Sequence, residues 1–191
     1  LYPFISNFNP LYSFMTIGGP GCSSLAGAFV ENGPYQVNDK IELVDNAYAW
    51  NKQAHLLFID NPVGAGFSYT KDKRGYPTNE EEVADALYLA LHGFFDKYPQ
   101  YKENPFYIFG ESYGGKYVPS IAYKIQQTGY QMNLRGIGVG DGLTHPEIQF
   151  AAYDEFSYVN GLIGFNDLPN IQAVCRRIVP DKTSHVHYDC L

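Results

Sequence analysis

Paired cysteines, clustered basic residues and long apolar runs are all scarce in this sequence. Its 13 lysines and arginines are scattered and face 20 acidic residues, which gives a formal net charge of −7. A nucleic-acid partner is therefore not expected, because binding to a phosphate backbone relies on clustered positive charge. No run approaches the 18 or so apolar residues of a membrane span, and the opening stretch LYPFISNFNP lacks the order of a secretory signal. We therefore expect no membrane partner and no targeting segment in the chain as given.

The chain contains three cysteines: Cys22, Cys175 and Cys190. They fit neither a dense disulfide framework nor a Cys-x-x-Cys site. Cys175 and Cys190 could close a local loop, whereas Cys22 has no partner that the sequence identifies. His185 and His187 lie near Cys190, but this spacing is weak for a metal site, and solvated loop histidines are the better interpretation. We expect neither a metal nor an organic cofactor.

Apolar segments that alternate with helical patterns predict an α/β fold. Such βαβ units form a mostly parallel sheet with helices on both faces. Strands are predicted at 12–17, 55–60, 106–109 and 134–139, and helices at about 79–98, 112–127 and 153–159. The pattern changes after Pro146, so we place a domain boundary near residue 150, with 1–150 as the core and 151–191 as a second segment.

The clearest helical pattern follows Asn79, which can cap the helix, with Glu82 at the position of a capping box. Pro99 ends it. Its apolar face is predicted to contain Val83, Ala86, Leu87, Ala90, Leu91, Phe94 and Phe95.

A Gly-x-Ser-x-Gly motif, Gly110-Glu111-Ser112-Tyr113-Gly114, joins a predicted strand to a predicted helix. This context places a nucleophilic serine on a sharp turn, with small residues where the backbone closes on itself. The amides that open the following helix favour negative charge at the same place. The motif predicts Ser112 as a nucleophile.

The oxyanion hole of such a site takes one amide from the residue after the nucleophile and another from the loop after an earlier strand. Here these are Tyr113 and the loop Gly18-Gly19-Pro20-Gly21. Taken alone, that loop would be an ordinary Gly/Pro turn.

The chain resembles the serine carboxypeptidases of the α/β-hydrolase fold, and among them the vitellogenic-like carboxypeptidases in particular. The resemblance rests on GGPGCSSLAGAFVENGPY (18–35), FIDNPVGAGFSYT (58–70), FGESYGGKYVPSIA (109–122) and VGDGLTHPEIQFAAYDEFSYVNGLI (139–163). These ordered blocks cover nearly all of residues 18–165, which is far more specific than one pentapeptide.

The resemblance implies an acyl-enzyme at Ser112, with the amides of Gly19 and Tyr113 as the oxyanion hole. It also implies that Glu31 and Glu111, together with Gly18, bind the substrate, the two glutamates recognising its C-terminal carboxylate. Two close carboxyls cannot both ionise cheaply, so one keeps a proton at acid pH and can donate to a third carboxylate. The implied activity is hydrolysis of peptides that have a free C-terminal carboxylate, favoured by acid pH.

By the same resemblance, the triad Asp and His belong to segments beyond this chain, and 151–191 begins the helical insertion that covers the site. We therefore expect an incomplete domain that is inactive alone, either a fragment or one of two processed chains completed by a second polypeptide. Asp141 is a weaker candidate for the triad acid and fits a turn residue better. The family implies a lysosomal, vacuolar or secreted setting.

Two alternatives remain open from the sequence, and a third is disfavoured. Family members usually have Asn or Gln before Gly-Gly-Pro-Gly, where this chain has Ile17. Weaker carboxylate recognition would account for Ile17, and so would an acyltransferase or esterase on the same scaffold. A catalytically inactive relative with a binding role is a second alternative. The glycine run 136–142 suggests a dinucleotide site, but its spacing fails Gly-x-Gly-x-x-Gly.

Overall fold

The computed structural model describes residues 11–16, 18–129 and 132–175. Its strands are β1 (Leu11–Thr16), β2 (Tyr35–Val37), β3 (Leu43–Asp45), β4 (Ala54–Phe58), β5 (Phe106–Glu111) and β6 (Leu134–Gly140). Its α-helices are α1 (Glu80–Lys97), α2 (Gly114–Thr128), α3 (Pro146–Phe150), α4 (Tyr153–Val159) and α5 (Leu168–Cys175). A π-helical segment, Gly27–Glu31, and a short 3-10 helix, Trp50–Lys52, lie in the connections before β4.

The main sheet is parallel and has the strand order β4-β1-β5-β6, while β2 and β3 form a separate antiparallel hairpin. In this sheet β4 pairs with one side of β1, whereas β5, which follows later in the chain, pairs with the other side and is followed by β6. The strand order therefore reverses at β1, so a crevice is expected there at the carboxyl ends of the strands. In open α/β sheets this is where ligands bind.

Both long helices pack on one face of the sheet. Alternate residues of β5, Phe106 and Ile108, are buried because they point toward α1 and α2. The resulting core contains Leu87, Leu91, Phe95, Phe106, Ile108, Val118, Ile121, Ile125 and Met132. A parallel sheet with helices packed on one face confirms the predicted α/β class, while helices on both faces stay a prediction.

On the opposite face of the sheet, aromatic side chains of β5 pack against Trp50 and against glycines of β6. The Phe109 ring meets the Trp50 ring edge to face, with centroids 5.7 Å apart. A Cβ added at Gly138 would lie 2.5 Å from the Phe109 ring, and one at Gly136 would lie 3.3 Å from the Tyr107 ring. Glycines in β6 therefore make room for the rings of β5.

Helix α1 matches its prediction closely, with corrections at particular residues. The Asn79 side chain caps it by accepting from the Glu82 amide at 2.9 Å. The Glu82 carboxylate accepts from the Thr78 amide at 2.7 Å, one residue before the expected partner. Ala90, predicted on the buried face, is exposed, and Ala84 is buried instead.

The predicted strands and the helices at 112–127 and 153–159 are present, with bounds that differ from the predicted ones by up to two residues. Strand β4 ends at Phe58, because the chain then turns through Asn61 and Pro62. Helix α2 begins at Gly114, because Ser112 has a left-handed backbone that a helix cannot include.

The chain divides into two compact units between Gly142 and Leu143. The first contains both sheets with α1 and α2, and the second contains α3, α4 and α5. The domain boundary near residue 150 stays a prediction. Over the described residues, no helix is long and apolar enough to cross a membrane.

Candidate active site

Ser112 lies on the sharp turn between β5 and α2. Its φ is 56°, a left-handed conformation that costs a non-glycine residue on the order of 1–3 kcal/mol. Two backbone hydrogen bonds hold it: the Ser112 amide donates to the Gly140 carbonyl at 3.1 Å, and the Gly115 amide donates to the Ser112 carbonyl at 3.0 Å. The surrounding structure thus imposes the strained turn that the motif predicts.

The first glycine of the motif is explained by how closely α2 crosses β5. A Cβ added at Gly110 would lie 2.6 Å from Cγ2 of Val118 and 3.0 Å from Cα of Gly114. Val118 is fully buried, and Gly114 contributes backbone, so neither can move cheaply. Only glycine at 110 allows the helix to start directly behind Ser112.

The glycine loop after β1 lies against the same turn. Gly18 is buried, and an added Cβ there would overlap the Tyr113 amide nitrogen and lie 2.8 Å from the Glu111 carbonyl oxygen. Gly19 has a φ of 115°, which favours glycine. The pairing of β1 with β5, which aligns Thr16 with Gly110, brings the two segments together.

Glu31 and Glu111 meet beside Ser112, although they belong to different elements. Glu31 ends the π-helical segment, and Glu111 ends β5. The pKa of Glu31 is raised, first by partial burial, then by the charge of Glu111 and a hydrogen bond with it, and finally by Asp141. A hydrogen bond between two carboxyls needs a proton, and the raised pKa favours the protonated form of Glu31.

Asn46 positions the backbone around Glu31, and the sequence analysis did not single it out. Its buried side chain donates to the carbonyls of Glu31 and Gly33, both at 3.0 Å, and its Oδ1 accepts from the Tyr48 amide at 2.9 Å. The only signal was an Asn within a turn-forming stretch, which is common in loops.

The side chain of Tyr113 is also held, by residues that the sequence did not single out. Its hydroxyl donates to Glu80 Oε1 at 2.8 Å, and its ring meets the Tyr117 ring at 5.1 Å. Burial raises the pKa of Tyr117 to about 12. These contacts fix the residue whose amide is the predicted oxyanion donor.

The remaining residues singled out in the sequence are not all part of this site. Asp141 has a φ of 37° just after β6 and lies close enough to raise the pKa of Glu31. Cys22 is exposed and has a free thiol. Ile17, His185, His187 and Cys190 lie outside the described residues. In the described ranges, no group of three His, Cys, Asp or Glu residues could hold a metal ion.

A strained serine at the turn between a strand of a parallel sheet and a helix is the arrangement of an α/β-hydrolase. Comparison with known proteins defines the family: a model described as serine carboxypeptidase matches residues 16–190. This chain belongs to the serine carboxypeptidase family.

The sequence relatives agree. Serine carboxypeptidase S10 family member 1 of Dictyostelium discoideum is 46% identical over 87% of this chain and 40% of its own length. The human protein named probable serine carboxypeptidase CPVL is 46% identical over 85% of this chain and 35% of its own length. The chain thus spans well under half the length of these relatives.

A solved structure supports the fold. The crystal structure of Kex1(delta)p, a prohormone-processing carboxypeptidase from Saccharomyces cerevisiae, matches 92% of this chain and 40% of its own chain. The TM-score is 0.80 and the sequences are 30% identical. The α/β-hydrolase fold is therefore shown.

Proposed function

We propose that the protein containing this chain is a serine-type carboxypeptidase that releases C-terminal residues from peptides. The observation that carries the proposal is the hydrogen-bonded pair of Glu31 and Glu111, placed directly beside Ser112. A serine hydrolase does not need two carboxyls there, since their charges would repel a developing oxyanion. A protonated carboxyl that donates to a substrate carboxylate does explain their presence.

In this proposal, Ser112 Oγ attacks the scissile carbonyl carbon while a general base takes its proton. The amides of Gly19 and Tyr113 stabilise the oxyanion, and Gly18 and Glu111 line the adjoining substrate site. The C–N bond then breaks, and the C-terminal residue leaves with a proton on its amine. Water hydrolyses the acyl-enzyme and releases the shortened peptide. The triad Asp and His are expected beyond this chain and stay predictions. A second chain that would supply them also stays a prediction.

The test compares a blocked dipeptide with its C-terminal amide, using protein expressed from its complete coding sequence. The proposal expects much faster hydrolysis of the free acid, and expects a fluorophosphonate probe to label the wild type but not Ser112→Ala. Equal rates on the two substrates would overturn the carboxypeptidase proposal.

Ile17 keeps a second candidate open, because an apolar residue there cannot donate to a substrate carboxylate. An acyltransferase or esterase would label at Ser112 yet show no preference for the free acid. An inactive relative with a binding role would not label. The lysosomal, vacuolar or secreted setting stays a prediction.

A further inference from the structure

The carboxylate of Asp60 joins two loops near the candidate site. Asp60 lies just after β4, and its Oδ1 accepts from the Ser23 hydroxyl at 2.6 Å. The backbone amides of Ser24 and Leu25 also interact favourably with this carboxylate. The Leu25 amide donates to Ser23 Oγ at 3.3 Å, and the Phe67 amide donates to Asp60 Oδ2 at 2.7 Å. One side chain therefore binds the loop after β1 and the loop after β4.

The surroundings of Asp60 favour the ionised form of its carboxyl. Burial alone would raise its pKa, but the hydrogen bonds from Phe67, Ser23, Ser24 and Leu25 outweigh burial and lower it. Gly66 has a φ of 51°, and an added Cβ there would overlap Asp60 Oδ2.

The second loop also holds the backbone of Asp60. The Ser68 hydroxyl donates to the Asp60 carbonyl at 2.7 Å, and the Gly64 amide donates to the Ser68 carbonyl at 2.8 Å. The loop therefore closes around Asp60 and holds both its side chain and its carbonyl in place.

The segment 18–25 is consequently held at both ends. At its start, Gly18 lies against the Tyr113 amide, and at its end, Ser23 binds Asp60. Between them, the Cys22 amide donates to the Gly18 carbonyl at 3.2 Å, so a shift at Ser23 would be passed toward Gly18 and Gly19.

We propose that Asp60 is a positioning residue that holds the segment 18–25, and with it the amide of Gly19, against the turn at Ser112. The catalytic part of this inference rests on the proposed function; the loop-holding part does not. Because Glu31 and Glu111 would hold the substrate carboxylate, loosening the segment is expected to lower kcat and leave KM little changed.

The experiment measures amide hydrogen exchange in peptides covering 18–25 together with kcat and KM, using protein expressed from its complete coding sequence. Asp60→Asn replaces an acceptor oxygen with an NH2 group that cannot accept these bonds. We expect faster exchange in 18–25 and a loss in kcat of roughly tenfold or more, by comparison with the 100-fold or larger loss on removing an oxyanion donor. Ser23→Ala, which removes one donor, is expected to give a smaller effect in the same direction.

Asp72→Asn is the matched control. Asp72 also accepts from a backbone amide, that of Arg74 at 3.0 Å, but it lies in an exposed loop. We expect exchange in 18–25 and kcat to stay at wild-type values.

Three other outcomes are decisive. Wild-type exchange and kcat in Asp60→Asn would overturn the proposal. Faster exchange spread over the whole chain, with Ser23→Ala unchanged, would show a role in folding alone and would also overturn it. If the wild type hydrolyses no peptide while Asp60→Asn speeds exchange only in 18–25, the proposed function fails and the loop-holding role stands.

Discussion

At the scale of single residues, the candidate site depends on a few backbone constraints. Ser112 is strained, and the strain persists because hydrogen bonds to Gly140 and Gly115 hold both sides of the turn. Gly18 allows a neighbouring loop to touch the amide of Tyr113. The position of the candidate nucleophile thus comes from close backbone packing.

The glutamate pair leads to a prediction about pH. Because the pKa of Glu31 is raised, its carboxyl stays protonated to a higher pH than that of an ordinary glutamate. It loses the proton as the pH rises through the raised pKa. For a substrate with a free C-terminal carboxylate, KM should therefore rise with pH across that range. Glu31→Gln keeps an N–H donor at every pH, so the rise in KM should be absent. KM measured from about pH 4 to 8 checks this.

The pH dependence of the free energy of unfolding gives an independent measure of the raised pKa of Glu31. The native state binds the Glu31 proton more tightly than the unfolded state, so this stabilisation is complete below the unfolded pKa and is lost as the pH rises through the folded pKa. Glu31→Gln should remove this loss. Glu42→Gln, at an exposed glutamate bonded to Asn38, is the control and should keep the wild-type profile. Identical pH profiles for all three proteins would contradict the assignment of the proton to Glu31.

The sequence allowed only part of the site to be predicted. The serine motif and the glycine loop are local patterns, so Ser112 and Gly18 could be placed in advance. The contacts that hold the site are not local. Ser23 and Asp60 are 37 residues apart, and Tyr113 and Glu80 are 33 apart. No local propensity specifies such pairs, since each residue alone looks like an ordinary polar residue in a loop or at a helix start.

At the scale of elements, the crossing of β5 and α2 predicts the effect of one methyl group. Gly110→Ala would push a Cβ against Val118 and the backbone of Gly114. Overpacking of this kind costs about 1–3 kcal/mol, so the free energy of unfolding should fall by that amount. Labelling of Ser112 should also slow, because the start of α2 would shift. Chemical denaturation and fluorophosphonate labelling measure the two effects.

Gly93→Ala is the matched control for this substitution. Gly93 lies within α1, and an added Cβ there meets nothing within 4 Å. Alanine is the better helix former, so this change should stabilise the protein by roughly 0.5–1 kcal/mol. Equal effects at both glycines would contradict the close crossing. Adding Val118→Ala to Gly110→Ala should recover part of the loss if the Val118 methyl is the obstacle.

Helix α1 shows why elements are easier to predict than the faces they bury. Its cap and its bounds follow from local signals at Asn79 and Pro99, and they were predicted within a residue or so. Which alanine is buried depends on tertiary packing that local signals do not specify: Ala84 is buried, whereas Ala90, predicted to be buried, is exposed. Likewise, the left-handed backbone at Ser112 moves the start of α2 to Gly114.

At the scale of the whole molecule, the strand order explains the position of the site. The reversal at β1 places the loop at Gly18 and the turn at Ser112 side by side at the carboxyl ends of adjacent strands. The pairing of β1 with β5 is therefore sufficient to bring these two segments together. The predicted oxyanion loop and the candidate nucleophile can therefore be preorganised by these two strands.

The sheet edge at β6 gives the last prediction. Among the described strands, β6 pairs with β5 on one side only, and its Ile137 and Val139 side chains are 49% and 39% exposed. Together with Tyr123 and Met132, Ile137 lines a groove of about 520 Å³. An apolar edge strand offers free backbone donors and acceptors to another chain. We therefore expect the 191-residue segment, expressed alone, to associate as its concentration rises.

Ile137→Lys should suppress that association, because a charged side chain beside the edge resists pairing with a second copy. Leu89→Lys is the matched control: Leu89 is 68% exposed but lies on helix α1 rather than on a strand. Light scattering over a range of concentrations measures the effect. If both lysines suppressed association equally, general charge repulsion would explain the result. If only Ile137→Lys acts, the open side of β6 is the surface through which the isolated segment associates.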